Sequence, residues 1–228
     1  MQHPNPVRSV IFDVDGLLLD TEIVYTRVTQ KIVSRFGKTF DWSIKANMIG
    51  RTEAESARYL VQALDLPITP DEYLAERNTM LKEGFAACDA MPGAESIVRH
   101  LHRHRITMSV ATSSSRELFR IKISRHTHWF DLFEVTVTGD DPGIRRAKPA
   151  PDIFLAAADQ LGADPQDVLV FEDAPSGLAA GVAANMRVIA VPDPNMDKSR
   201  YRGAEEILES LEAFSPVRYG LPGLDRLS

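Results

Sequence analysis

The sequence is poor in cysteine, in long apolar stretches and in runs of basic residues. Cys88 is the single thiol among 228 residues. One cysteine excludes an intramolecular disulfide and suits a reducing compartment. No histidine or CxxC partner lies near it, so a reactive thiol is not expected. Nothing approaches the roughly 20 apolar residues of a membrane span, and the opening MQHPNPVRSV has no apolar segment of signal-peptide type. A cytoplasmic protein with no membrane partner is the expectation. Lysine and arginine form no long run and the formal charge is −6, so nucleic acid is not an expected partner. An acidic total still leaves anionic small molecules open, because local charge decides binding within a cleft. Internal repeats and low-complexity tracts are missing, and no strand-to-helix turn carries GxGxxG, which counts against a dinucleotide site. A monomer is the default.

What is present is an ordinary globular composition, 44% hydrophobic and 25% charged. A chain of this length buries one substantial core, or one domain carrying a smaller insert. Five short β-branched apolar runs recur: Val10 to Phe12, Ile106 to Ala111, Val135 to Val137, Val168 to Phe171 and Val188 to Val191. Between the later runs lie helical patterns, AESIVRHLHRHR, RELFRIKISRHT and PDIFLAAADQL. Strands alternating with helices predict an α/β fold, a parallel sheet with helices on both faces. The interval from Thr21 to about Ala90 breaks that alternation with EIVYTRVTQKIVSRFG, EAESARYLVQALDL and PDEYLAERNTMLKEGF, all of helical period. We expect a core of residues 1–18 and 91–228 and an inserted helical domain of residues 19–90, able to move as a lid. Asp20 or Thr21 is the expected N-cap of its first helix and Gly37 the stop. The tail after Pro216 reads as irregular.

In open α/β sheets the ligand lies beyond the carboxyl ends of the strands. The first run ends in Asp13-Val14-Asp15, the second in Thr112-Ser113-Ser114 and the fourth in Glu172-Asp173. Carboxylates gathered in one crevice repel and are costly to bury without cations or hydrogen bonds. Oxygen donors of this kind suit a hard cation, and Mg²⁺ is the usual choice where phosphate completes the shell. Asp13 and Asp173 are the expected side-chain ligands. Asp15 offers its backbone carbonyl and keeps its carboxylate for proton transfer, and Glu172 is expected to reach the metal through water. Lys148, in RRAKPAPDIF, precedes a helix whose first turn suits Pro151. Its ammonium could neutralise both a phosphate and the aspartate attacking it. The hydroxyls and backbone N–H groups of Thr112 to Ser115 make an anion cradle at a helix start near Arg116, one of them serving as N-cap. Pro175-Ser176-Gly177 opens another helix, with Ser176 as a cap.

Together DVDGLLLDTE, ATSSS, AKPAPDIF and FEDAPSG, in that order between Val10 and Val191, resemble the haloacid dehalogenase superfamily. The likeness is greatest to its phosphatases with a helical C1-type cap. It implies a Rossmann-like core and phosphoric monoester hydrolysis assisted by Mg²⁺. By the same resemblance Asp13 is the nucleophile that becomes an aspartyl-phosphate, and Asp15 is the general acid and base. Thr112 and Lys148 match the family's catalytic threonine and lysine, and Asp173 its last metal-binding aspartate. Gly16 is expected to permit a tight exit into the insert, and with Ser113, Ser114 and Arg51 to line the phosphate and substrate. Candidate substrates are small phosphorylated metabolites: pseudouridine 5'-phosphate, glycerol phosphates and sugar phosphates.

Dehalogenases of the superfamily lack the second aspartate, so Asp15 counts against that chemistry. The β-phosphoglucomutases carry a histidine where Tyr25 stands and an arginine where Glu53 stands. Both departures count against a mutase, although adjacent Arg51 could substitute in part. A non-catalytic phosphate-binding protein is the reading from another class, and the filled catalytic positions count against it. The segment IGRTEAES would lie over the site, with Gly50 allowing a turn and Arg51, Thr52 and Glu55 as candidate substrate contacts. Thr52 and Glu55 read equally as a helix capping box. Phe40 and Trp42 either line a leaving-group pocket or pack in the insert's core.

Overall fold

The computed structural model describes residues 6–49 and 53–224. Its sheet consists of β1 (Ser9–Phe12), β2 (Thr107–Thr112), β3 (Val135–Thr138), β4 (Val168–Glu172), β5 (Arg187–Ala190) and β6 (Glu206–Ile207). The spatial order is β3-β2-β1-β4-β5-β6, and every neighbouring pair is parallel. The first five strands are the five apolar runs, whose near-continuous burial is what a strand covered on both faces requires. Two-residue β6 was not expected, being too short to carry a pattern; it joins the sheet by pairing Glu206 with Ile189 and Ile207 with Ala190.

From β1 the chain winds outward through β2 and β3, then returns to the other side of β1 and continues through β4 to β6. Winding therefore changes direction between β1 and β4, the place where such sheets open a crevice. Phe12 and Phe171 pair in register there, with their rings stacked 4.9 Å apart and 6° from parallel. Phe133 and Phe214 pack edge-on against this stack. Since successive residues of a strand face opposite ways, the next residue on each strand points to the other face. Those residues are Asp13 and Glu172.

Helices α5 (Ala94–Arg103), α6 (Arg116–Lys122), α7 (Thr127–Phe130), α8 (Asp152–Leu161) and α9 (Pro175–Ala183) flank the sheet in a Rossmann-like arrangement. Helix α5 buries Ala94, Ile97, Val98 and Leu101, a stripe at helical spacing that packs on β2. Helix α8 packs on β1 to β3, and α9 on β4 and β5. Ser176 is the second residue of α9 and does not cap it. Ala174 holds the N-cap position without a side-chain bond, Pro175 has no N–H to satisfy, and the N–H of Ala174 is taken by Glu172. Pro151 likewise stands at the N-cap position of α8, one residue before its first turn. The tail is less irregular than expected: Pro216–Tyr219 forms a 3-10 turn that buries Tyr219 and bonds back to Val7.

The chain divides into two compact units, Met1–Asp20 with Asp89–Ser228, and Thr21–Cys88. The second is the inserted α-helical cap, formed by α1 (Thr21–Ser34), α2 (Trp42–Lys45), α3 (Glu53–Ala63) and α4 (Pro70–Phe85). Asp20 stands at the N-cap position of α1, and Gly37 closes the turn after it with φ +68°. Helices α1 and α4 are joined by a buried Thr29–Tyr73 hydroxyl bond of 2.9 Å, and the Tyr25 ring meets Phe85 edge-on. Thr69 and Glu72 form a capping box at the start of α4. Phe40 is buried, whereas Trp42 is half-buried with the Lys45 ammonium over its ring. Cys88 is buried and in no disulfide.

Phe171→Ala should lower the unfolding free energy by about 3–5 kcal/mol, because it opens a cavity under the sheet centre. Urea denaturation measures this, and a loss below about 1 kcal/mol would contradict the packing described.

Candidate active site

The register of β1, β2 and β4 sets the site. Phe12 aligns with Val110 and Phe171, so Asp13 emerges level with Ala111 and Glu172. The Asp13 N–H donates to the Phe171 carbonyl at 3.0 Å, anchoring the residue to the strand end. Beyond it the chain turns tightly: the N–H groups of Leu18 and Leu19 both donate to the Val14 carbonyl, and that of Gly16 donates to the Leu19 carbonyl. Gly16 adopts φ +77°, a backbone state costly for residues with a Cβ, so the expected tight exit is present.

Lys148 arrives from the β3–α8 connection, where its peptide bond to Pro149 is cis. Its Nζ donates to Asp13 Oδ1 at 2.5 Å, to Glu172 Oε1 at 2.7 Å and to the Ala111 carbonyl at 3.2 Å, and lies 4.8 Å from the Phe154 ring centroid. Burial alone would lower the Lys148 pKa, but the Asp13 and Glu172 carboxylates outweigh it and hold it above the ordinary lysine value. Burial pushes Asp13 up to about 7; Lys148 opposes this, and the charges of Glu172 and Asp15 add to it. The other oxygen of Glu172 accepts from the Ala174 N–H at 2.9 Å. A Cβ placed on Gly177 would fall 1.7 Å from Glu172 Oε1, so α9 can begin over this carboxylate only with glycine there.

Asp173 is half-buried, and its backbone carbonyl accepts from the Tyr201 hydroxyl at 2.5 Å. Carboxylate oxygens of Asp13, Glu172 and Asp173 all lie within 4.8 Å of one another. Three carboxylates thus gather in one place, two of them sharing the Lys148 ammonium, as an oxygen-only donor set. Such a set fits a hard divalent cation.

A second cluster surrounds Asp15. Its Oδ2 accepts from Thr112 Oγ1 at 3.2 Å and from Ser114 Oγ at 2.9 Å, and its Oδ1 accepts from Lys122 Nζ. Lys122 also donates to Ser114 Oγ at 2.7 Å. The Ser114 N–H donates to Thr112 Oγ1, so both polar groups of Ser114 serve the protein's own loop. Ser113 is exposed at the head of this loop, and Ser115 is the N-cap of α6 through the Leu118 N–H. Lys122 was missed on the sequence. Its signal was positional: three residues after buried Phe119, it falls on the inward stripe of α6.

Asp13, Glu172, Asp173 and Lys148 are therefore brought together, and Asp15, Thr112 and Ser114 meet beside them. Gly50, Arg51 and Thr52 lie outside the described residues; Glu55, the third expected contact, is exposed in the first turn of α3. Glu53, considered against a mutase arginine, pairs with Arg77 inside the cap.

The parallel sheet defines a protein of Rossmann-like α/β fold, with carboxylates and a lysine gathered at its switch point. The model of the haloacid dehalogenase-like hydrolases matches residues 10–191, and the chain belongs to that family. Among its relatives is the mitochondrial (DL)-glycerol-3-phosphatase 1 of Arabidopsis thaliana, 46% identical across 95% of this chain and 74% of that protein. A probable pseudouridine-5'-phosphatase of Drosophila melanogaster is 39% identical across 95% of each chain. A solved HAD family hydrolase from Deinococcus radiodurans, with bound phosphate and sodium, superposes with a TM-score of 0.78 at 27% identity, over 91% of this chain and 93% of that one. Within the family the chain is a phosphoric monoester hydrolase.

Gly177→Ala tests the close approach at Glu172. Glycine to alanine inside a helix ordinarily stabilises by about 1 kcal/mol. Here thermal denaturation should show a lower Tm, and a raised Tm would mean that Glu172 is not held against α9.

Proposed function

We propose that this enzyme is a magnesium-dependent phosphatase of small organic monophosphates, acting through an aspartyl-phosphate on Asp13. The observation that carries the proposal is Lys148 bridging Asp13 and Glu172, with Asp173 alongside, at the β1–β4 switch point. Phosphoryl transfer asks mainly for positioning and charge neutralisation, and this cluster supplies both.

The Asp13 carboxylate attacks phosphorus in line, forming an acyl-phosphate bond as the ester P–O bond breaks. Asp15 gives a proton to the departing alkoxide oxygen. It then takes a proton from the water that attacks the phosphoryl group, releasing inorganic phosphate and restoring Asp13. Lys148 offsets the repulsion between the Asp13 carboxylate and the phosphate dianion. The Thr112 hydroxyl is shared between Asp15 and a phosphoryl oxygen, and exposed Ser113 lies on the anion's side. Mg²⁺ would be held by the carboxylates of Asp13 and Asp173 and the backbone carbonyl of Asp15, with Glu172 beside them. When bound it neutralises charge on the phosphoryl oxygens.

Glycerol phosphates and pseudouridine 5'-phosphate are the first substrates to test, since relatives named for them cover nearly the whole chain; sugar phosphates follow. We propose a monomer acting on a free metabolite in the cytoplasm, with neither nucleic acid nor membrane as partner. Among the described residues no helix is long and apolar enough to cross a membrane.

A panel of phosphomonoesters with Mg²⁺ should reveal turnover that excess EDTA abolishes and added Mg²⁺ restores. Asp13→Asn should reduce kcat by about a thousandfold or more, as expected for loss of a nucleophile acting with its partners. Turnover without metal, or an active Asp13→Asn enzyme, would refute the mechanism.

The raised pKa of Asp13 sets a pH dependence. Without the cation Asp13 keeps a proton to about pH 7, so binding at lower pH must displace it. Calorimetry should therefore find Mg²⁺ bound more tightly at pH 7.5 than at pH 5.5, with proton release at the lower pH. Equal affinity at both would place the cation elsewhere.

A further inference from the structure

We propose that Lys122 is a positioning residue for Asp15, holding its carboxylate by both oxygens so that the two aspartates of DVD stay in separate roles. This rests on the reading of Asp15 as acid and base. The side chain of Lys122 is 0% exposed, and its ammonium is bonded to Asp15 Oδ1 directly and to Oδ2 through the Ser114 hydroxyl. Ser114 accepts from Lys122 and donates to Asp15, so the three groups close a ring that fixes the orientation of the carboxylate.

Lys122 lies where an apolar residue would be expected, three positions after Phe119 on the inward face of α6. Burying an ammonium is costly, and a well-packed apolar side chain at such a place is often neutral or stabilising. Packing alone therefore does not account for a lysine here. The charge distribution does. Asp13 and Asp15 are one residue apart, and each raises the cost of the other's charge. Lys148 serves Asp13 together with Glu172, and Lys122 serves Asp15. With a cation of its own, Asp15 has no call on Lys148 and is kept on the β2 side of the crevice, clear of the nucleophile. Its side chain is 25% exposed, so the held carboxylate is open on one side. A proton donor to a leaving group needs that combination of fixed direction and access.

Lys122→Met keeps the side-chain length and removes the ammonium. kcat/KM, which reports the transfer that expels the leaving group and not the later hydrolysis common to all esters, should be compared on p-nitrophenyl phosphate, whose leaving group needs no proton, and on an alkyl phosphate such as glycerol phosphate, whose leaving group does. We expect kcat/KM on the alkyl ester to fall on the order of tenfold or more beyond any fall on the aryl ester. In an Asp15→Asn background the same substitution should produce no further loss. Equal losses on the two esters, or losses that multiply with those of Asp15→Asn, would reduce Lys122 to a structural residue and overturn the proposal. If Asp15→Asn slows both esters alike while Lys122→Met is silent in that background, the acid role of Asp15 falls and the coupling stands. Circular dichroism checks folding. Should Lys122→Met not fold, Ser114→Ala keeps the ammonium paired and must show a smaller loss with the same preference for the alkyl ester; no such preference overturns the proposal.

Discussion

Carboxylates crowded at the ends of parallel strands must be neutralised, and the rest of the structure follows from how this is done. Asp13, Glu172 and Asp173 converge at the strand ends, Asp13 and Glu172 buried, with Asp15 beside them and partly exposed. Burying any of them alone would cost several kcal/mol. Two lysines carry the compensation inside the protein. Lys148 reaches across from the β3–α8 connection to Asp13 and Glu172, and Lys122 reaches from α6 to Asp15. The remaining negative charge at Asp13, Glu172 and Asp173 makes the crevice receptive to a divalent cation. In the proposed reaction Lys148 and that cation together offset the repulsion between a phosphate dianion and the carboxylate nucleophile.

The sheet makes this arrangement possible through register and reversal of winding. Because β1 lies between β2 and β4, one residue past Phe12 meets both Ala111 and Glu172. Phe12 and Phe171, stacked on the opposite face, anchor both strand ends at a common height. Gly177 lets the first turn of α9 descend onto Glu172, and Gly16 lets the chain leave the tip of β1 without disturbing Asp13. Small residues at two backbone positions thus decide how closely charged groups can gather.

Much of this was legible in the residues. Five strands, the helical insert and the meeting of Asp13, Lys148, Glu172 and Asp173 follow from apolar periodicity, from strand-end polarity and from four motifs in order. Strand β6 was not legible, since two half-exposed residues carry no period. Ser176 was misread as a cap because Pro175 and the Glu172 carboxylate already serve the start of α9. Ser114 was read only as part of an anion cradle, and the bonds by which its hydroxyl joins Lys122 to Asp15 were not foreseen.

By itself the sequence determined which chemical groups stand at the strand ends, because a β-strand's alternation and a helix's period are local properties of the chain. It also determined the family, since short motifs in order survive where spacing between them varies. Only the tertiary structure decided that Glu172 shares Lys148 with Asp13 and that Asp15 has a lysine of its own. Lys148 lies 135 residues from Asp13 and Lys122 lies 107 from Asp15. Helical spacing can turn Lys122 inward, but no local rule says which distant carboxylate a buried lysine meets. The carboxylates of Asp13 and Glu172 in one case and of Asp15 in the other made that choice.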